Sequence, residues 1–481
     1  MNEGKIVTRI ENAVPLRPEL RFSQPVSWAI APGENWAVTG PNGAGKSLLA
    51  DILTRRVALR SGEITVDDPR GTAAIRSIAF KDIYSLADCR NMYYQQRWNS
   101  ADADAAPLAG EVFPEFSESS YDRAKDIFGI GSLLNRRMIS LSSGELRKLL
   151  VARVLSFAPR LLILDNPFIG LDAASRVLLS DMLCEMSQKG ILQCILVVPD
   201  PADIPDWIDR VLPVKSQHIY PSLSREEFRQ NKALLSELFD ETLPNLSGFP
   251  SPEEKLPPFA CAIRMNGVKI AYEGRKILDG IDWTVNSGEK WALVGANGSG
   301  KSTLLSLVCG DNPQAYANDI TLFDRRRGTG ESIWEIKKRI GYVSPEMHAF
   351  YLERIPCAEV VASGFFDSVG LYRKCTPAQR ETAVRWMRIF GADYLSERFF
   401  TDISYGQQRL ILLVRAFVKD PDLLILDEPF HGLDAGKKKR ASAVIEAFSR
   451  RPDKTLIFVS HYKEEIPSCA DREMTLKKPV Q

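Results

Sequence analysis

The stretch Gly40-Pro-Asn-Gly-Ala-Gly-Lys-Ser47 decides the fold, because it returns 255 positions later (295 − 40) as Gly295-Ala-Asn-Gly-Ser-Gly-Lys-Ser302. Both copies have the pattern G-x-x-x-x-G-K-S, and each follows a short apolar run, Trp36-Ala-Val-Thr or Trp291-Ala-Leu-Val, that reads as a buried strand. Glycines let backbone N–H groups close on phosphate oxygens, and the start of the next helix favours negative charge. The spacing therefore assigns Gly40, Pro41, Asn42, Gly43, Ala44, Gly45, Lys46 and Ser47 to a nucleotide-phosphate cradle. It assigns Gly295, Ala296, Asn297, Gly298, Ser299, Gly300, Lys301 and Ser302 to a second one. Lys46 and Lys301 are placed to reach the β- and γ-phosphates, and Ser47 and Ser302 to ligate Mg2+.

Outward from the loops the repeat continues. Gly33-Glu34 and Trp36 match Gly288-Glu289 and Trp291 at the same offset. Three later pairs share an offset of 262 (403 − 141): Leu141-Ser-Ser-Gly-Glu145 with Ile403-Ser-Tyr-Gly-Gln407, Asp165 with Asp427, and Gly170-Leu171-Asp172 with Gly432-Leu433-Asp434. The aspartates end the strings Leu161-Leu-Ile-Leu and Leu423-Leu-Ile-Leu, which read as fully buried parallel strands, so Asp165 and Asp427 are placed to hold the Mg2+ shell. The fold class is α/β, as two tandem P-loop domains, each a mostly parallel sheet with a helical subdomain. The expected boundaries are 1–220, a linker at 221–261, and 262–481. A Ser224-Arg-Glu-Glu227 capping box starts a short helix in the linker, and the prolines from Pro244 to Pro258 continue it.

Composition narrows the function. At 481 residues the chain suits about two or three domains. Lys+Arg (62) and Asp+Glu (61) leave a net charge of +1, which excludes a global field that would draw the protein onto nucleic acid or an acidic membrane. A local patch remains open. No apolar run approaches the length of a membrane span, and Met1 to Val14 holds no hydrophobic signal core, so a cytoplasmic protein is expected, at most peripheral at the inner face of a membrane. The eight cysteines are scattered without a C-x-x-C pair, which suits reduced thiols rather than a disulfide frame or a zinc site.

The paired loops, the two signature-like stretches 24 residues before each strand-ending aspartate (165 − 141 and 427 − 403), and the Gly-Leu-Asp strings together resemble the ATP-binding cassette (ABC) ATPases over nearly the whole chain except the linker. The resemblance implies Mg·ATP binding and hydrolysis, with the two cassettes paired head to tail. Each ATP would then lie between the phosphate loop of one cassette and the signature of the other. On that basis Ser142, Ser143, Gly144 and Glu145, and Ser404, Tyr405, Gly406 and Gln407, are the signature residues. Neither copy has the consensus Leu-Ser-Gly-Gly-Gln: Ser143 and Glu145 depart in one, Ile403 and Tyr405 in the other.

The offset of 262 exposes an asymmetry. Glu428 follows Asp427 and is placed to polarise the attacking water, while its counterpart is Asn166, which cannot take a proton. His461 matches the family's switch histidine, and its counterpart is Pro199. Hydrolysis is therefore expected at the second phosphate loop with the first signature, and slow turnover at the first loop with the second signature. Tyr272 resembles the family's adenine-stacking aromatic, although a tyrosine there also suits a plain strand; Arg17 aligns with it. The family's Q-loop glutamine has no clear match. Ile340-Gly-Tyr-Val-Ser-Pro-Glu346 ends in a glutamate, a further candidate for the metal shell, and the first copy offers Ile78-Ala-Phe-Lys with Gln95 and Gln96 beyond.

Within the family the chain resembles the fused double-cassette molybdate-transport and photorepair group, on its fused cassettes, Ile340 to Glu346, Ser142-Ser-Gly-Glu-Leu-Arg-Lys148 and Asp427-Glu-Pro-Phe-His-Gly-Leu-Asp434. The names imply molybdate transport or DNA photorepair. No oxyanion or DNA site is readable; Tyr93-Tyr-Gln-Gln-Arg-Trp98 suits base stacking, but a packed helical subdomain is the simpler reading. Three classes stay open. A transport energiser needs a separate membrane permease. A translation-type factor at the ribosome usually has a longer charged linker and a glutamate after both aspartates, which Asn166 does not match. A regulatory or repair ATPase would use closure on ATP to grip a macromolecule.

Overall fold

The fold is that of a computed structural model, which describes residues 8–80, 107–117, 129–138, 141, 143–171, 173–243, 246, 248–251, 256–272, 275–296 and 298–477. Lys81, Tyr93 to Trp98 with Gln95 and Gln96, Ser142, Asp172 and Asn297 lie outside the described residues, as do the side chains of Ser143, Gly144 and Glu346. The chain divides into two compact units. The first runs to Glu241 and the second continues from Thr242, with the short segment Gly432–Gly436 clustering with the first.

Strands of the first unit are β1 (Thr8–Pro15), β2 (Val26–Ile30), β3 (Trp36–Thr39), β4 (Leu59–Val66), β5 (Ile75–Ala79), β6 (Leu161–Asp165), β7 (Gln193–Val198), β8 (Arg210–Lys215), β9 (His218–Ile219) and β10 (Leu223–Ser224). The larger sheet has the order β10-β8-β3-β7-β6-β5, with β9 on β8, and its β8-β3-β7-β6-β5 body is parallel. Such strands are covered on both faces, so they are continuous apolar runs: every residue of β3, β6 and β7 is buried. A separate antiparallel sheet, β2-β1-β4, lies in the same unit.

The second unit repeats the plan with β11 (Cys261–Tyr272), β12 (Arg275–Asn286), β13 (Lys290–Val294), β14 (Asp319–Leu322), β15 (Arg325–Arg326), β16 (Ile340–Val343), β17 (Leu423–Asp427), β18 (Thr455–Val459) and β19 (Arg472–Thr475). Its parallel sheet has the order β16-β17-β18-β13-β19, and its antiparallel sheet β12-β11-β14-β15. In each unit the glycine loop leaves the carboxyl end of an inner strand, β3 or β13. The aspartate ends a strand two places away, which is where parallel sheets bind ligands.

The repeated Gly-Glu-x-Trp strings have a physical cause. Trp36 donates its indole N–H to Glu34 at 3.1 Å, and Trp291 to Glu289 at 2.9 Å. Each indole meets a second tryptophan edge to face, Trp28 at 5.3 Å and Trp283 at 5.9 Å. That pair ties the antiparallel sheet to the strand that feeds the loop.

The capping box forms where the sequence places it. Ser224 accepts from the Glu227 N–H, and the Glu227 carboxylate accepts from the Ser224 N–H, at the start of the helix Arg225–Gln230. A second helix, Lys232–Phe239, follows. Phe228, Leu238 and Phe239 are buried in the first unit's core. In the second unit the helix Pro377–Ile389 buries Trp386 against Phe249, stacked at 5.3 Å, and against Phe417 and Phe448.

Candidate nucleotide sites

Gly40 to Ser47 turn from β3 into the helix Lys46–Leu53, and Gly295 to Ser302 turn from β13 into Lys301–Val308. Both helices start on a left-handed glycine, Gly45 at φ 105° and Gly300 at φ 96°. A side chain at Gly300 would meet Leu278 at 2.7 Å and the Ile277 carbonyl at 3.0 Å. Lys46 is buried, and its ammonium donates to the carbonyls of Gly40 (2.7 Å) and Pro41 (2.8 Å). Lys301 does the same to Gly295 (2.7 Å) and Ala296 (3.1 Å). Burial lowers Lys46 to about 8, against the opposing pull of the Asp434 and Asp165 carboxylates.

In the first unit the Ser47 hydroxyl donates to Asp165 Oδ2 at 2.5 Å. Two hard oxygens that meet at the head of the loop fit a Mg2+ shell, and Ser47 with Asp165 would hold the ion there. Asn166 donates its amide to Asp165 Oδ1 at 2.7 Å, so the residue after the aspartate braces it. Within this unit the Asn42 N–H donates to an Asp434 carboxylate oxygen at 2.8 Å.

In the second unit Ser302 and Asp427 occupy the corresponding positions, Asp427 at the buried end of β17. Asn166 at φ 55° and Glu428 at φ 50° share one left-handed turn, and each N–H donates to the strand alongside, at Val197 O (2.9 Å) and Val459 O (3.0 Å). Asparagine tolerates that conformation; a glutamate held there is strained, a mark of functional sites. Glu428 is 5% exposed, and burial raises it well above the usual carboxylate range, with Asp427 and Glu465 adding to the effect and Lys301 and Arg409 opposing it. His461, two residues beyond β18, brings Nε2 to 3.3 Å from Glu428 Oε1. His431 brings its Nε2 to 3.4 Å from Oε2, a neighbour that motif matching did not single out.

The helix Ser143–Ser156 carries the first signature, and there Glu145 pairs with Arg136 at 2.7 Å. The second signature opens the helix Tyr405–Phe417, with Ser404 as its N-cap in a reciprocal box with Gln407. Gly406 is buried behind it. Arg409, on the same helix and fully buried, donates to the carbonyls of Asp427 (2.8 Å), Glu428 (2.7 Å) and Ser344. One guanidinium thus holds the glutamate turn, the signature helix and the segment after β16. Ser344 caps the short helix Pro345–Phe350, whose His348 lies 2.9 Å from Gln408 Oε1 and tilts on Tyr405 at 4.3 Å. Tyr272 ends β11 half-buried against the core, its hydroxyl accepting from Asn312 at 2.9 Å.

The family model described as ABC transporter matches residues 23–169 and 278–431. The chain is 38% identical over 453 residues to the ABC transporter ATP-binding protein ModF of Escherichia coli (strain K12), spanning 91% of this chain and 90% of that protein. It is 30% identical over 466 residues to an uncharacterized ABC transporter ATP-binding protein of Schizosaccharomyces pombe, spanning 93% of each. Among solved structures, the archaeal ribosome recycling factor aABCE1, in complex with the ribosomal stalk protein aP1, superposes with a TM-score of 0.54 at 17% identity, over 92% of this chain and 83% of that one. That likeness is one of fold alone. No helix among the described residues is long and apolar enough to cross a membrane.

Proposed function

Because the chain belongs to the ABC transporter family of ATP-binding proteins, we propose that its two cassettes form unequal composite ATP sites, one hydrolytic and one that holds ATP, and that the pair energises a separate membrane permease. The protein is an ATP hydrolase of that family. The observation that carries the asymmetry is the shared turn: Glu428 and Asn166 have the same backbone conformation, and only one of them can accept a proton.

At the hydrolytic site Gly295 to Ser302 cradle the phosphates, facing the first signature from Ser142 to Glu145. Lys301 meets the β- and γ-oxygens, and Ser302 and Asp427 would hold Mg2+, which would supply positive charge against the phosphate oxygens. Water attacks the γ-phosphorus, its proton passes to a Glu428 oxygen, and the bond to the β-phosphate oxygen breaks to leave ADP. The raised affinity of buried Glu428 for a proton suits that role, and His461 stands at the same carboxylate. The other site pairs Gly40 to Ser47, where Ser47 and Asp165 would hold Mg2+, with the signature Ser404 to Gln407. Tyr272 is the candidate adenine platform. A molybdate-like oxyanion is the cargo class in this reading, and the inner face of the membrane is the place of work.

A soluble regulatory, repair or translation-type ATPase is the second reading. It is favoured by the segment after β16, where Glu346 stands in place of the family's glutamine and His348 is tied to the signature helix. Glu428→Gln should lower turnover by about 10²-fold or more with ATP binding kept, and Asn166→Ala should change it little; equal losses would refute the asymmetry. Affinity purification of the Glu428→Gln protein from its own cells in ATP then separates the readings. A stoichiometric integral-membrane partner supports transport; ribosomal or DNA-associated proteins in its place support the soluble ATPase.

A further inference from the structure

We propose that His431 is a positioning residue for Glu428, holding one carboxylate oxygen while His461 holds the other; the inference rests on the reading of Glu428 as the base. His431 Nε2 is 3.4 Å from Oε2 and His461 Nε2 is 3.3 Å from Oε1, and the three side chains are 11%, 10% and 6% exposed. Among the described residues neither carboxylate oxygen accepts an ordinary hydrogen bond. Asp427 and Glu465 face the group with like charge, and Lys301 and Arg409 with opposite charge.

An ionised carboxylate only accepts, so its orientation inside a protein is set by whichever donors reach it. Two imidazoles approach it within ion-pair range, from two elements. His461 comes from beyond β18, and His431 from the glutamate's own turn, fixed there by its N–H to the Glu428 carbonyl at 3.3 Å. One imidazole beside each oxygen, each donating to it as the water attacks, would limit the rotation of the carboxylate. At the offset of 262 the first cassette has Asn166, Ile169 and Pro199 where the second has Glu428, His431 and His461. The whole group is thus present in one cassette and replaced in the other, as expected of side chains that serve one task. An isoleucine at that position also shows that the fold does not require an imidazole in the turn.

The test is steady-state ATP hydrolysis by the full chain, with binding of a fluorescent ATP analogue measured in parallel. The variants are His431→Ala and His431→Gln, in the wild-type and Glu428→Gln backgrounds. A misplaced base costs up to about 10²-fold, so His431→Ala should lower kcat by about 10- to 100-fold, with KM and analogue binding kept within about twofold. His431→Gln retains an N–H donor and should recover most of the loss. In the Glu428→Gln background His431→Ala should have no further effect. Unchanged kcat in His431→Ala, a loss that glutamine does not rescue, or an equal loss in both backgrounds would overturn the positioning role. High turnover in Glu428→Gln alone would sink the base reading instead. If alanine prevents folding, His431→Leu, matched in melting temperature to the glutamine variant, takes its place.

Discussion

Acid should destabilise the second unit through one side chain, His348. The ring is 6% exposed, and burial lowers its pKa from the usual 6.5 to about 4; the bond to Gln408 opposes this and the Arg409 charge adds to it. The folded chain therefore refuses a proton that the unfolded chain accepts below about pH 6.5. In that window the unfolded state binds more protons, so stability rises with pH, and it falls as pH drops from 6.5 toward 4. One pH unit corresponds to about 1.4 kcal/mol per proton, so His348 should account for about 2 kcal/mol between about pH 6.5 and 5, and about 3 kcal/mol by pH 4. His348→Gln keeps a donor toward Gln408 and does not titrate. Urea unfolding of both proteins across this range, followed by tryptophan fluorescence with buried Trp386 as reporter, isolates the term. The wild type should lose about 2 kcal/mol relative to the variant between about pH 6.5 and 5. Parallel pH dependences would refute the reasoning.

Two further substitutions test the frame of the sites. Gly300→Ala places a side chain in a left-handed position against Leu278 and Ile277 and should cost about 1 to 3 kcal/mol, with weakened nucleotide binding at that loop; thermal melts and analogue titration check both. Arg409→Met strands three buried carbonyls and should destabilise the second unit by about 3 kcal/mol or more while lowering turnover, read from urea unfolding and ATPase assays.

The parts of the fold legible in the sequence are those whose signal is local. Buried parallel strands must be continuous apolar runs, so Leu161 to Leu164 and Leu423 to Leu426 announce themselves, and the glycine loops carry their conformation in their composition. The box at Ser224 and Glu227 spans four residues and is equally readable. The repeat offset exposed the Asn166 and Glu428 difference, since it needs only alignment. The same offset sets His431 against Ile169, yet nothing in one chain marks a histidine in a Phe-His-Gly turn as facing a carboxylate three residues back. The contact of His348 with Gln408 joins residues 60 apart, and Arg409 reaches a carbonyl 65 residues away. Such pairings depend on tertiary placement and leave no periodic trace. The stretch 221–261 reads as a linker from its position between the repeats and its prolines, and burial of Phe228 and Phe239 in the first core is not visible in that local signal.

Arg409 has a mechanical consequence. Its three bonds join the peptide of the strained glutamate, the stem of the signature helix and the edge of the segment after β16. Three regions so pinned cannot drift independently; a tilt of the helix pulls on the turn that aims the carboxylate. The second cassette thus holds its contact helix and its proton acceptor on a single lever, with a buried guanidinium as the fulcrum.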